Sequence, residues 1–154
     1  MLPRPPFVGW PVKKLDPRLG FAWFIAPNFF FSQLVLERAS AADATMLHDW
    51  VDDALAVHSA TIRPTGGLIA VHDLRSLVGY ESGARAVTTE RMRRRVPGAI
   101  QSVTIAVGPI NPLVKMGAQA VALFATTVLQ RRMTVVSDPG PVVTALGVRA
   151  IFAT

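Results

Sequence analysis

Apolar and polar positions divide the chain into segments of two periods. Leu19 to Ala26 and Phe29 to Ala39 are dense in aromatic and branched residues, with Pro27-Asn28 as turn chemistry between them, so an antiparallel hairpin is predicted. In the second run Phe29, Phe31, Gln33 and Val35 fall on one side and Phe30, Ser32, Leu34 and Leu36 on the other. Both faces are apolar near its start. One is expected to meet helices, the other the N-terminal arm or a second subunit of a homodimer. Ser40-Ala-Ala-Asp43 then has capping-box spacing. After it Leu47, Trp50, Val51, Ala54, Leu55 and His58 recur at intervals of three and four, with Asp43, Asp49, Asp52 and Asp53 opposite. This predicts an amphipathic helix ending near His58 to Ala60, with Trp50 buried against the sheet and the aspartates on a solvated face rather than in a metal site.

Leu68 to Val71 predicts a strand that ends at Asp73, followed by a loop containing Gly79 and a helix over Ala84 to Arg95, stopped by Pro97-Gly98. Ile100 to Val107 alternates as a strand. Pro112 opens a long helix to about Gln130. Its expected buried stripe is Met116, Ala120, Leu123, Phe124 and Val128, while Gly117, Ala118, Ala122 and Ala125 would admit a close backbone. Met133 to Val136 predicts a last strand, and Pro139 to Leu146 a short helix begun by Ser137 or Asp138. This order predicts a single α/β domain: a mixed, mostly parallel sheet of about five strands with an N-terminal hairpin and helices packed on it. Leu68 to Val71 and Val103 to Val107 should be parallel neighbours joined through a right-handed crossover. Residues 1–18, with prolines at 3, 5, 6, 11 and 17, predict an extended arm, and 19–154 the domain.

A chain of 154 residues suits one domain, able to bury roughly 70% of its unfolded surface. Without cysteine there is no disulfide framework, thiolate nucleophile or cysteine-ligated metal. The formal charge of +6 is mostly arginine, concentrated at Arg91, Arg93, Arg94 and Arg95. At the end of a helix this charge suits the dipole, so a solvated helix end is the first expectation and recognition of an acidic protein partner the second; no aromatic residues are interleaved there for stacking, so nucleic acid is not expected. Leu113 to Gln130 is the one stretch to test as a membrane span, and Lys115 with its small and polar residues argues against it. The first residues lack the apolar core of a signal peptide. A cytoplasmic protein is expected.

No phosphate-binding loop, nucleophile elbow or histidine pair at ligand spacing occurs. His72 beside Asp73, with Ser76 and Ser82 nearby, contains the residue types of a small hydrolase, but neighbours on a strand point to opposite faces. No catalytic residue, cofactor or metal is assigned.

The strand ending in Asp73-Leu74, the loop, and Tyr80-Glu81-Ser82-Gly83 at a helix start resemble the corresponding parts of the STAS domain and SpoIIAA-like family, bacterial anti-sigma-factor antagonists and their relatives. The likeness extends over Phe21 to Gly147. With Gly83 as anchor, Glu81 stands where the family carries a phosphorylated serine; with the gap placed elsewhere, Ser82 is the candidate phosphosite. The resemblance implies a non-catalytic regulatory module that docks on a protein partner. The expected recognition surface is Ser76, Tyr80, Glu81, Ser82 and Gly83 with Arg91, Arg94 and Arg95. The family is also similar to lipid-carrying relatives, which implies as the alternative a small apolar ligand held between sheet and helices, with Phe29, Phe30, Phe31, Leu123, Phe124 and Val128 as candidate lining.

Overall fold

In a computed structural model, which describes residues 12–26, 28–108 and 111–145, the aromatic hairpin forms as β2 (Gly20–Ala26) and β3 (Phe29–Leu34), paired antiparallel. A further strand, β1 (Val12–Asp16), pairs antiparallel with β2. The arm predicted over residues 1–18 therefore ends in an edge strand, and residues 1–11 lie outside the described part. Gly20 sits at φ 138° with its Cα against the Gln33 carbonyl, where a Cβ would lie 2.0 Å from that oxygen. Only glycine fits this crossing.

Beyond the hairpin the sheet is parallel. β5 (Leu68–Asp73) pairs with β3, β7 (Ile100–Ala106) with β5, and β8 (Met133–Val136) with β7. The sheet is thus six-stranded, order β1-β2-β3-β5-β7-β8, with two antiparallel and three parallel pairings. Short strands β4 (Arg38–Ala39) and β6 (Gly79–Tyr80) form a separate parallel pair. Helices α1 (Ala41–Val57), α3 (Ser82–Arg94) and α4 (Pro112–Thr127) link successive parallel strands; a short α2 (Ser59–Ile62) and a 3-10 turn precede β5. Crossovers of one hand that step in one direction along a sheet put their helices on the same face. All three long helices accordingly lie over the face that carries Phe30, Leu68, Ala70 and Ile105.

α1 begins with the expected capping box: the Ser40 hydroxyl accepts from Asp43 N at 3.2 Å and the Asp43 carboxylate accepts from Ser40 N at 2.8 Å. Leu47, Trp50, Val51 and Ala54 are buried. Asp43 is buried as well, bonded to Arg18, so it does not belong to a solvated acidic face. Burial alone would raise its pKa, but hydrogen bonds from Ser40 and Arg18 outweigh that and hold it below the ordinary carboxylate value.

The opposite sheet face holds Trp23, Ile25, Phe29, Phe31 and Val71 around Val143, which belongs to a helical segment starting at Gly140. Phe21, Trp23 and Phe31 stack in a row across β2 and β3, with centroids 4.9 and 4.8 Å apart.

The face of α4 differs from the expectation. Val114, Gly117, Val121 and Ala125 point inward, whereas Leu113, Met116, Leu123 and Val128 are each more than three-fifths exposed. Small residues occupy the buried side because the Tyr80 ring comes up against Gly117, whose Cβ would lie 2.1 Å from the phenol oxygen. Among the described residues no helix is long and apolar enough to cross a membrane.

Candidate functional site

The loop from β5 to α3 is held down on both sides. Ser76 donates to the Leu34 or Leu36 carbonyl, at 3.0 and 2.8 Å. Val78 N and Gly79 N both donate to the Glu37 carbonyl, and Tyr80 lies half-buried beside α4. Glu81 is the N-cap of α3 without a side-chain capping bond, Ser82 is exposed in the first turn, and Gly83 sits close to the Ala41 side chain. Of the loop residues expected to recognise a partner, only Glu81 and Ser82 are exposed.

The arginines at the end of α3 turn inward to α1. Arg91 reaches Asp49 at 2.7 Å and Asp52 at 2.8 Å, and Arg95 donates to Asp52 at 2.8 Å. Arg94 stays exposed and pairs with Glu90 one turn earlier. Asp49 and Asp52 stand one turn apart on α1, facing Arg91 in the last turn of α3 and Arg95 just past its end, so the two helices meet as complementary charged edges. Of the four aspartates expected to face solvent, Asp49 and Asp52 are thus half of an interhelical clamp, while Asp49 and Asp53 are exposed as expected. Among the described residues no three histidine, aspartate or glutamate side chains converge to hold a metal ion.

Arg95 also donates to His48 Nδ1 at 3.0 Å. A guanidinium has only hydrogens to offer, so Nδ1 accepts and the ring proton sits on Nε2, 3.2 Å from Thr88 Oγ1. Thr88 in turn donates to the Ala84 carbonyl at 3.0 Å. Burial first, then the positive charge of Arg95, keeps the His48 pKa well below the ordinary imidazole value.

His72 faces the helices from the middle of the sheet, its Nδ1 2.6 Å from Ser32 Oγ on β3. Its pKa is pushed down to about 4, by burial and secondarily by Arg95. Asp73, on the other face, binds Arg75 through both carboxylate oxygens at 2.9 Å and accepts from Gln33. His72, Asp73 and Ser76 therefore each bond elsewhere and do not assemble as the parts of a hydrolytic site.

Between the sheet, α1, α3 and α4 lies a cavity of about 110 Å³. Leu34, Leu47, Leu77, Val107, Val114 and Val121 are among its walls, and the exposed Arg85 marks where it approaches the surface. A second cavity, of about 70 Å³, continues it under α1 and α3 toward β8. The two share Leu47, His48, Leu74, Thr88 and Ile105 as a partition. None of the six residues expected to line a pocket is in either wall. Phe29 and Phe31 face the far side of the sheet, Phe30 packs in the core, Leu123 and Val128 are exposed, and Phe124 lies under the Arg93 guanidinium. The true lining is mainly aliphatic and is contributed by α1, α3, α4 and several strands and loops, which no single stretch of sequence announces.

The molecule is thus an α/β protein with its three long helices stacked on one face of a mixed sheet and an apolar cavity beneath them. No family model matches the chain, and a search of curated proteins finds no match.

Proposed function

We propose that this protein is a non-catalytic binding module that holds a small, largely apolar molecule between its sheet and its helices. The observation that carries this reading is the pair of adjoining cavities, about 110 and 70 Å³, whose walls are mainly aliphatic. Native interiors seldom leave such space, and only the two cavities together, at about 110 and 70 Å³, match the roughly 150 Å³ of a dry apolar cavity that binds benzene. The resemblance to SpoIIAA-like proteins, with their lipid-carrying relatives, points the same way.

Toluene and 1-octanol are suitable test ligands. Each should produce saturable shifts of the Leu47, Leu77 and Val121 methyl resonances. Ala118→Phe, which places a ring in the larger cavity, should abolish them while leaving the circular dichroism spectrum intact. Absence of saturable binding, or binding unaffected by the filled wall, would overturn the proposal.

A second reading, a regulatory module that docks on a protein partner, is favoured by the exposed stripe of Leu113, Met116, Leu123 and Val128 along α4. Contiguous exposed apolar surface of this kind often marks an interaction site. Its occupant would be a protein carrying an apolar helix or strand of its own. Ser82, exposed at the start of α3, stays the candidate phosphosite, since a helix N-terminus favours a phosphate. Leu123→Glu should abolish association with such a partner without changing ligand binding; unaltered association would remove this reading.

A further inference from the structure

The larger cavity has an almost wholly apolar wall, whereas the smaller one ends at buried donors. The Ser32 hydroxyl hydrogen has one acceptor within reach among the described residues, His72 Nδ1 at 2.6 Å. Ser32 therefore donates, and the single proton of the neutral His72 ring sits on Nε2. That Nε2–H has no partner among the described residues, although His72 is only 8% exposed. No fully enclosed side-chain nitrogen or oxygen among these residues is left without a partner, so Nε2 keeps some accessible surface, and the smaller cavity is the one that His72 borders.

Arg95 borders the same cavity and also a narrow one of about 20 Å³ beside Arg131 and Arg132, with its side chain 7% exposed. Nε is used by Asp52 and Nη2 by His48, which leaves Nη1 without a partner among the described residues. The small cavity thus offers two buried donors. His48 adds nothing further, because both of its ring nitrogens are engaged. A buried donor without a partner costs free energy, and a ligand acceptor placed there would recover it.

Resting on the reading of the cavity as a ligand site, we infer that the ligand is an amphipathic carboxylic acid: its carboxylate lies in the smaller cavity against His72 Nε2 and Arg95 Nη1, and its apolar tail occupies the larger one. A carboxylate fits better than a hydroxyl head because it only accepts, matching a wall that only donates, and because a guanidinium lies beside it. The tail must pass the partition of Leu47, Leu74, Thr88 and Ile105, so an unbranched chain suits the passage better than a fused ring. The cavity sizes point to a short chain: about 150 Å³ holds benzene, so about 110 Å³ takes roughly four or five tail carbons, and the further carbons of a longer acid extend toward the exposed Arg85 at the mouth.

Octanoate and 1-octanol, equal in chain length and different in head group, separate this inference from the reading beneath it. In the full-length wild-type protein octanoate should bind roughly tenfold or more tightly than octanol, as expected for a charge-assisted bond in a dry site. Titration with octanoate should move the methyl resonances of Met92 and Met133, which border the smaller cavity, and the His72 Nε2 resonance should shift with its proton retained. His72→Phe, and Ser32→Ala/His72→Phe if the single variant folds poorly, should remove the octanoate preference and leave octanol binding in place. Equal affinities, a preference for octanol, or shifts confined to the larger cavity would overturn the inference while leaving an apolar site standing. Binding of neither compound would overturn both.

Discussion

His72 and His48 are neutral because the fold gives them no room to be charged, and this makes stability depend on pH in a defined direction. Burial lowers both pKa values, with Arg95 from α3 facing each ring and each histidine near the other. For His72 the unfolded value is 6.5 and the folded value about 4. Between these the unfolded chain binds more protons than the folded one, so stability falls as pH drops from about 6.5 toward 4. The loss from His72 alone is about 3 kcal/mol once pH is below the folded value, taking 1.36 kcal/mol per pH unit. Urea unfolding midpoints should decline across this window, and His72→Phe should flatten part of the slope. A midpoint constant from pH 7 to 4.5 would mean that the rings are hydrated and free to protonate. Sequence identified His72 as the residue before a strand's terminal aspartate and its position on the opposite face. Its partner Ser32, forty residues earlier, was out of reach, because the parallel pairing of β3 with β5 is set by the whole sheet.

The elements were legible wherever one face was clearly apolar and the other clearly polar. α1, with its capping box and its Leu47, Trp50, Val51 and Ala54 stripe, is the clear case. For α4 the pattern points the wrong face inward because both faces are apolar: periodicity finds a stripe but cannot choose between large side chains and small ones. The choice is made by Tyr80, distant in the chain, because its ring leaves space for nothing larger than glycine at position 117. The arginines of α3 could have been matched to α1, since Asp49 and Asp52 repeat one turn apart just as Arg91 and Arg95 do. A helix end that suits positive charge already accounted for them, so the pairing had no separate signal. The Gly117 and Tyr80 contact has a testable sign. Ala in place of Gly within a helix normally stabilises by about 1 kcal/mol, yet here the new methyl would meet ring atoms at 2.1 to 2.8 Å. Gly117→Ala should therefore destabilise by about 1 to 3 kcal/mol in the wild-type background. In a Tyr80→Ala background the same substitution should become stabilising. Thermal melts of the four proteins in this cycle measure the coupling, and additive effects would show that the ring moves aside freely.

At the scale of the whole molecule, the helical layer divides into two parts of unequal attachment. α1 and α3 pack extensively and are clamped by Arg91 and Arg95 on Asp49 and Asp52, with His48 and Thr88 bonded between them. α4 packs much less against α3 and rests mainly on β8 and β6. Its contact with α3 includes Arg93 over the Phe124 ring at 5.7 Å, an exposed pairing of modest strength. The larger cavity opens between these two parts, its walls shared by Ala84 and Thr88 of α3 and Val114, Gly117 and Ala118 of α4. A ligand larger than water reaches the interior most cheaply by displacing the part held by fewest buried contacts, so α4 is the expected door. Local opening free energies measured by native-state hydrogen exchange should be lower for the amides of α4 than for those of α1. Saturating octanoate should raise protection in α4 more than in α1, because the tail would bridge α4 to the rest of the core. Arg91→Met, which weakens the clamp, should lower protection in α1 and α3 while leaving the α4 amides nearly unchanged. If α1 and α4 instead exchange with equal opening free energies, and ligand protects both alike, the helical layer opens as one unit and access to the cavity requires unfolding of the whole domain.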